Sequence, residues 1–155
     1  MPNYGKQFET KFKQDWMRCF PDSFLLRLND QVSGYKFTSS NICDFIGYNN
    51  GKLYLLECKS HSGASLPFSV VSQYDKLSRY AGLNGIRVGI IAWLYEKDKC
   101  LYIPVKTITS MMKTNNKSIG VKHLGKEDIL EIPSVKKRVF MDSDYSLLVN
   151  LPEGW

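Results

Sequence analysis

The sequence predicts an α/β fold in which a mixed β-sheet is flanked by helices. Three features lead to this fold class: an amphipathic helix at the start, two apolar runs joined by Asn49-Asn50-Gly51, and a central-strand pattern over Arg87 to Leu94. The chain has 155 residues, 43% of them apolar, which is enough for one globular domain. We therefore expect a single domain over 1–155, with a core of about 4–104 and a basic α/β tail of about 105–155.

The first element is a helix from about Tyr4 to Arg18. Asn3 is a residue type that caps helices, and Phe8, Phe12 and Trp16 recur one turn apart on one face. This face is expected to pack on the sheet.

The next two apolar runs, Ile42 to Tyr48 and Lys52 to Ser60, are expected to pair as an antiparallel hairpin. Asn-Gly between them is the strongest short hairpin signal, because both central residues of a type I′ turn need positive φ. With Asn50 and Gly51 at the turn, the numbers of paired residues add up to 101, so Asp44 falls opposite Glu57. Lys59 returns to the same face about 6–7 Å further along the strand. By the same register, Cys43 and Cys58 should oppose each other on the other face.

The remaining elements follow from turn residues and apolar periodicity. They are a strand over Ser23 to Asn29, a loop or irregular strand up to Asn41, a helix from Ser69 or Ser72 to Ala81, strands over Arg87 to Leu94 and Cys100 to Pro104, and a helix over Val105 to Thr114.

The charge balance favours an anionic partner. Twenty-one Lys and Arg stand against fifteen Asp and Glu, a formal net charge of +6. No stretch is long and apolar enough to span a membrane, and residues 1–16 lack the apolar core of a secretory signal, so a cytoplasmic location is expected. The four cysteines have no C-x-x-C pair and are expected to be free thiols.

The predicted convergence of Asp44, Glu57 and Lys59 indicates a site for chemistry. Two directly opposed carboxylates repel each other unless a cation or a proton lies between them. Mg²⁺ prefers one or two carboxylates and leaves positions open for phosphate oxygens. Lys59 would then orient or activate the attacking water and offset charge in the transition state. His61, which follows this strand, is interpreted as a polar loop residue, with contact to a phosphate or a role as a base as the alternative.

These residues resemble the PD-(D/E)xK nuclease superfamily, and within it the RecU-type Holliday junction resolvases. The resemblance covers most of the chain. It rests on the following segments: Gly5-Lys-Gln-Phe-Glu9, Cys43-Asp44-Phe, Glu57-Cys-Lys59, Pro67-Phe68 with Gln73-Tyr-Asp-Lys-Leu77, Gly89-Ile-Ile, Lys117-Ser-Ile and the region from Ile132 to Tyr145. It implies a restriction-endonuclease-like core.

The resemblance also assigns roles. It implies that Asp44, Glu57 and the backbone carbonyl of Cys58 are metal ligands, that Lys59 is the catalytic lysine and that Glu9 supports metal binding. Gln73 matches a glutamine near the site more loosely.

Basic side chains on the two helices are candidates for DNA binding: Lys6, Lys13, Arg18, Lys76 and Arg79.

The sequence thus predicts a DNA endonuclease that uses Mg²⁺, with Mn²⁺ as a substitute. The resemblance implies a homodimer that makes paired nicks in four-way junctions, and the compactness of the chain favours a bacterial or bacteriophage origin. Two alternatives stay open: a repair or restriction-type nuclease for flaps, single strands or duplex, and a non-catalytic DNA-binding protein on a nuclease scaffold.

Overall fold

The computed structural model describes residues 3–29 and 41–155. The helices are α1 (Tyr4–Cys19), α2 (Tyr74–Ser78) and α3 (Val105–Lys113). The strands are β1 (Phe24–Arg27), β2 (Phe45–Asn49), β3 (Lys52–His61), β4 (Ser65–Pro67), β5 (Ile86–Leu94), β6 (Lys99–Pro104), β7 (Ser118–Gly120), β8 (Leu130–Ile132), β9 (Ser134–Lys136) and β10 (Met141–Ser143). Short 3₁₀ turns span Phe68–Val70, Val121–His123 and Tyr145–Asn150.

The central sheet is mixed, as predicted. Over the described ranges its order is β1-β2-β3-β5-β6-β8. Among the described strands of this sheet, only β3 and β5 pair in parallel, and the other neighbours are antiparallel. β3 is therefore an interior strand, with β2 on one side and β5 on the other, and it carries three of the predicted site residues, Glu57, Cys58 and Lys59.

The β2–β3 hairpin has the predicted register. Asn49 pairs with Lys52 and Phe45 pairs with Leu56, so residue numbers add up to 101 along the ladder. Asn50 and Gly51 have φ of 50° and 77°, the positive values that a type I′ turn requires. The turn chemistry therefore fixes which side chains of the two strands share a face.

Two layers of helices cover the two sides of the sheet. The aromatic stripe of α1, which comprises Phe8, Phe12 and Trp16, packs in one core cluster with Phe45 and Leu56. On the opposite side, a second cluster brings residues of α3 and the α2 region together with apolar side chains of β3, β5 and β6. Successive residues of a strand alternate between the two clusters, so residues 55, 57 and 59 face the α3 side.

Several predicted elements differ from the structure. The helix expected from Ser69 or Ser72 to Ala81 forms only over Tyr74–Ser78, because Val71, at φ −87° and ψ 75°, breaks the helical path after a 3₁₀ turn. The strand expected over Ser23 to Asn29 is limited to Phe24–Arg27. The loop or irregular strand predicted up to Asn41 concerns mainly residues 30–40, outside the described residues.

The cysteine predictions had mixed outcomes. Cys19, Cys43, Cys58 and Cys100 are all free. The expectation that Cys43 and Cys58 share a face is wrong, since Cys43 packs in the α3-side cluster and Cys58 in the α1-side cluster. The cause is that the ladder ends at Phe45, so residues before it leave the regular alternation. No described helix is long and apolar enough to cross a membrane.

Candidate metal and active site

Asp44 is the residue just before β2, and its side chain contacts the neighbouring strand β3. Its Oδ2 accepts the backbone N–H of Cys58 at 2.8 Å, and its own N–H donates to the carbonyl of Leu56 at 3.2 Å. The side chain thus takes the place of a ladder acceptor and is held beside the peptide units that flank Glu57. Asp44 therefore lies close to Glu57, as the register predicts, and its negative charge helps to raise the pKa of Glu57, while its hydrogen bond goes to the N–H of Cys58, which the simple register did not include.

Glu57 is a buried carboxylate on an interior strand. It is 3% exposed, and its Oε2 is buried without a hydrogen-bond partner among the described residues. Burial, and secondarily the negative charge of Asp44, raises the pKa of Glu57 to about 7 despite the nearby ammonium of Lys59. A buried acceptor left without a partner is costly, so this oxygen is suited to a ligand that the chain itself does not supply.

Lys59 lies beside Glu57, as the strand period predicts. Its Nζ is 3.1 Å from Oε1 of Glu57, and its side chain is 25% exposed. The ammonium therefore touches the buried carboxylate and is also accessible from solvent. It is placed to contact an anion that approaches this end of β3.

Glu9 lies near this cluster on the α1 side and forms an ion pair with Arg27. Arg27 donates from Nε at 2.8 Å and from Nη2 at 2.5 Å to Oε2 of Glu9. The negative charge of Glu9 contributes, as a minor cause, to the raised pKa of Glu57. Glu9 is thus within electrostatic range of Glu57, while one of its oxygens is held by Arg27.

Sequence reasoning did not predict the role of Arg27. The available signal was a cation at the end of an otherwise apolar strand, Phe24-Leu25-Leu26-Arg27, and within an apolar run that continues to Leu28. Arg27 and Glu9 also line a cavity of about 410 Å³ between α1 and the β1–β2 edge. Lys13, one of the predicted DNA-binding residues, lines the same cavity.

Gln73 is not joined to the cluster. It is the residue before the short α2, and its backbone carbonyl accepts the N–H of Leu77 at 2.9 Å. Its amide makes no hydrogen bond to Asp44, Glu57 or Lys59 in the structure. Cys58 provides its N–H to Asp44, so its peptide unit lies at the site, while its thiol packs on the α1 side.

The predicted DNA-binding residues differ in their surroundings. Lys6, Lys13 and Arg79 are exposed, and Lys76 is partly buried. Arg18 has structural contacts: Nη1 is 2.7 Å from Oδ1 of the buried Asp15, and Nη2 donates to the carbonyl of Ser143 at 2.7 Å. Arg18 therefore fastens α1 to β10, in addition to any contact it makes with a ligand.

The donor set fits a hard divalent cation bound mainly by oxygen and water. Over residues 3–29 and 41–155, no cluster of three or more His, Cys, Asp and Glu side chains is arranged to hold a metal ion. Two carboxylates and a backbone carbonyl are a smaller protein set, of the kind that Mg²⁺ accepts because it keeps several waters. The unpartnered Oε2 of Glu57 is the structural observation that favours such a cation.

Comparisons with known proteins give a structural neighbour. No protein-family model matches the chain, and no curated protein matches it either. The fold is similar to that of Hjc from Archaeoglobus fulgidus, a Holliday junction resolvase from an archaeal hyperthermophile. The TM-score is 0.55, with 17% sequence identity, over 79% of this chain and 93% of that chain.

The likeness establishes the fold. The chain has a restriction-endonuclease-like fold, with a central mixed sheet flanked by helices, as the sequence predicted. The neighbour has a resolvase fold but does not single out the RecU type, so that finer expectation is supported only at the level of the shared nuclease fold.

Proposed function

We propose that this protein is a Mg²⁺-dependent DNA endonuclease of the Holliday junction resolvase type. The observation that carries the proposal is the buried Glu57, with one oxygen on Lys59 and the other unpartnered within the described chain, next to Asp44. The fold shared with an archaeal resolvase supports a nuclease that acts on DNA. Mn²⁺ is expected to substitute for Mg²⁺.

Asp44, Glu57 and the backbone carbonyl of Cys58 would hold the cation, with Glu9 as a supporting carboxylate. When bound, Mg²⁺ supplies positive charge to phosphate oxygens and makes water a better nucleophile. Asp44 is already oriented by the N–H of Cys58, so little side-chain ordering is needed for it to act. Arg27 holds one oxygen of Glu9, which fixes the direction of that carboxylate.

Lys59 would act on the reacting groups from the solvent side. Its contact of 3.1 Å with Glu57 positions the ammonium at the carboxylate cluster, and its partial exposure leaves donors for a phosphate oxygen or the attacking water. A fixed cation at this place stabilises the negative charge that grows during phosphodiester hydrolysis. Gln73 makes no hydrogen bond to these groups in the structure.

The substrate and the assembly are further parts of the proposal. A net charge of +6 and the cations Lys6, Lys13, Lys76 and Arg79 favour DNA as the anionic partner, with Arg18 as a further contact. A homodimer would present two related sites to a two-fold symmetric junction. The protein would act in the cytoplasm of a bacterium or in a cell infected by a bacteriophage.

The decisive experiment compares wild type with Asp44→Asn on three labelled DNAs: a four-way junction, a flap and a linear duplex of matched sequence. We expect wild type to nick the junction in the presence of Mg²⁺ or Mn²⁺, and Asp44→Asn to lose nicking by roughly 10³-fold, because the amide lacks the negative charge of the ligand. Binding of the same junction without metal serves as the control for folding and substrate affinity.

Each other result would contradict a different part of the proposal. Preferred cleavage of flap or duplex would indicate a repair or restriction-type nuclease. Binding without cleavage in either metal would indicate a non-catalytic DNA-binding protein. Unchanged nicking by Asp44→Asn would show that the assigned site is wrong.

A further inference from the structure

His61 is the last residue of β3, in contrast to its interpretation as a loop residue. It pairs with Leu94 of β5, and its carbonyl accepts the N–H of Tyr95 at 3.2 Å. Since side chains of a strand alternate, His61 lies on the same face as Glu57 and Lys59. It follows Lys59 by two residues, about 6–7 Å along the strand.

The hydrogen bond of the imidazole defines which nitrogen is available. Nδ1 of His61 is 2.5 Å from the carbonyl oxygen of Ser62. A carbonyl oxygen only accepts, so Nδ1 carries the proton of this bond, and Nε2 is the nitrogen left for another partner. In the protonated imidazolium form, Nε2 is a second charged donor.

The strand end that carries His61 is held by two hydrogen bonds to the end of β5 and the turn that follows it. The N–H of Gly63 donates to Oε2 of Glu96 at 2.9 Å, and Tyr95 binds the carbonyl of His61. The side chain is half-buried and so remains reachable from solvent. His61 is thus held on a rigid element in line with the carboxylate cluster, which is where a bound strand would continue past the site.

We propose that His61 binds a backbone phosphate of DNA through Nε2–H of its imidazolium form, at a phosphate neighbouring the one positioned by Lys59. This inference rests on the proposed function, since it specifies how the same site holds the strand. His61 would be a DNA-contacting residue that aligns the substrate, and it would add one phosphate contact. The nearby charged groups are Glu57 and Lys59 on its own strand and Glu96 in the turn after β5, while Leu94 opposite it is neutral.

The test measures DNA affinity against salt concentration in metal-free buffer, where no cleavage interferes. Glu57→Gln serves as the parent, because it removes the titration of Glu57 from the comparison. Each phosphate contact contributes a slope of about −0.9 to the plot of log affinity against log salt. We expect His61→Ala in this parent to reduce the slope by about one contact at pH 6 and to weaken binding roughly five- to tenfold.

Two further variants decide between a charge contact and a structural effect. At pH 6, His61→Lys should keep the full slope, and His61→Gln should lose about one contact from it. His123→Ala is the matched control, because Nδ1 of the other histidine accepts the N–H of Gly120 at 3.0 Å and has a local structural role. It should leave the slope unchanged.

The inference is overturned if His61→Ala keeps the parental slope at pH 6, or if His123→Ala changes it equally. Failure of the proposed function gives a different result. A wild type that binds DNA without cleaving it in Mg²⁺ or Mn²⁺ removes the nuclease proposal, while the slope still tests His61. A wild type that binds no DNA overturns both.

Discussion

Two buried carboxylates, Asp15 on α1 and Glu57 on β3, have almost the same burial and opposite surroundings. Asp15 is 1% exposed and Glu57 is 3% exposed. Oδ1 of Asp15 contacts Lys11 at 2.5 Å and Arg18 at 2.7 Å, and Oδ2 accepts the N–H of Ser143 at 3.0 Å. Glu57 contacts Lys59 at 3.1 Å, and its second oxygen has no hydrogen-bond partner among the described residues.

The difference separates a structural carboxylate from a candidate functional one. Asp15 has both oxygens satisfied by the chain, and through Ser143 it fastens α1 to β10. The ionised carboxylate of Glu57 destabilises the metal-free folded state, because a buried charge with an unpartnered oxygen is unfavourable. Such a group is retained where a ligand from outside the chain completes it. Burial alone therefore does not identify a carboxylate as a candidate site residue. The distinguishing observation is whether each carboxylate oxygen has a hydrogen-bond or ion-pair partner within the described chain.

The largest expected difference is in catalysis. Glu57→Gln should reduce Mg²⁺-dependent nicking by roughly 10³-fold or more, because the amide keeps the shape and loses the charge that holds the cation. Asp15→Asn should keep the nicking rate per folded molecule within a few-fold, since Asp15 lies on the α1 side and does not touch the cluster. Single-turnover cleavage of a labelled junction, normalised to the folded fraction, measures both. Equal losses in the two variants would remove the distinction.

The second difference is in stability, and here the order reverses. Asp15→Asn should lower the free energy of unfolding by about 2–3 kcal/mol, somewhat less than for a fully buried pair, because Lys11 and Arg18 are partly exposed and can be solvated. Urea unfolding followed by circular dichroism measures this loss. The exposed Asp98, which pairs with Lys136, provides the control, and Asp98→Asn should change stability by less than about 1 kcal/mol. A similar loss in both would show that burial of Asp15 is unimportant.

The sequence predicts the surroundings of these two carboxylates only where their contacts are local along the chain. Glu57 stands in an apolar run next to an Asn-Gly turn, so local pattern places it beside Asp44. The helix period brings Lys11 and Arg18 to Asp15, but its hydrogen bond from Ser143 spans 128 residues, and no local pattern joins those two residues. Sequence periodicity does not predict the Glu9–Arg27 pair either, because this pair depends on how α1 lies across β1.

The fold was predicted where a local rule dominates. The N-cap Asn3 and the aromatic stripe of α1, the hairpin register and the apolar β5 depend on capping, turn chemistry and periodicity. α2 was predicted too long. The segment before it forms a 3₁₀ turn over Phe68–Val70 and leaves the helical conformation at Val71, so its apolar residues pack against the sheet without belonging to one continuous helix. Cys43 was assigned to the wrong face, because Asp44 replaces a backbone acceptor and ends the ladder. In the last case the chemistry of the site itself changes the regular geometry.

The smallest expected difference is the pH dependence of stability due to Glu57. Its pKa in the folded protein, about 7, lies above the ordinary value of 4.5, so the folded state binds this proton more tightly than the unfolded chain. Its contribution therefore favours folding at pH 4.5 and below and is lost as pH rises towards 7. Glu57→Gln should stabilise the metal-free protein by about 1–2 kcal/mol at pH 8, less than the full linkage value because the amide also needs partners, with no gain near pH 4.5.

Thermal unfolding of both proteins between pH 4.5 and pH 8, with EDTA and with Mg²⁺, measures this contribution. If a cation is what completes Glu57, Mg²⁺ should raise the Tm of wild type at pH 8 and leave Glu57→Gln nearly unchanged, because binding to the folded state alone stabilises it by mass action. Asp15→Asn should respond to Mg²⁺ as wild type does, since its charge is already neutralised within the chain. A cation effect that persists in Glu57→Gln would place the cation elsewhere. The difference between Asp15 and Glu57 would then be a difference in hydrogen bonding alone, and the unpartnered oxygen of Glu57 would not indicate a metal site.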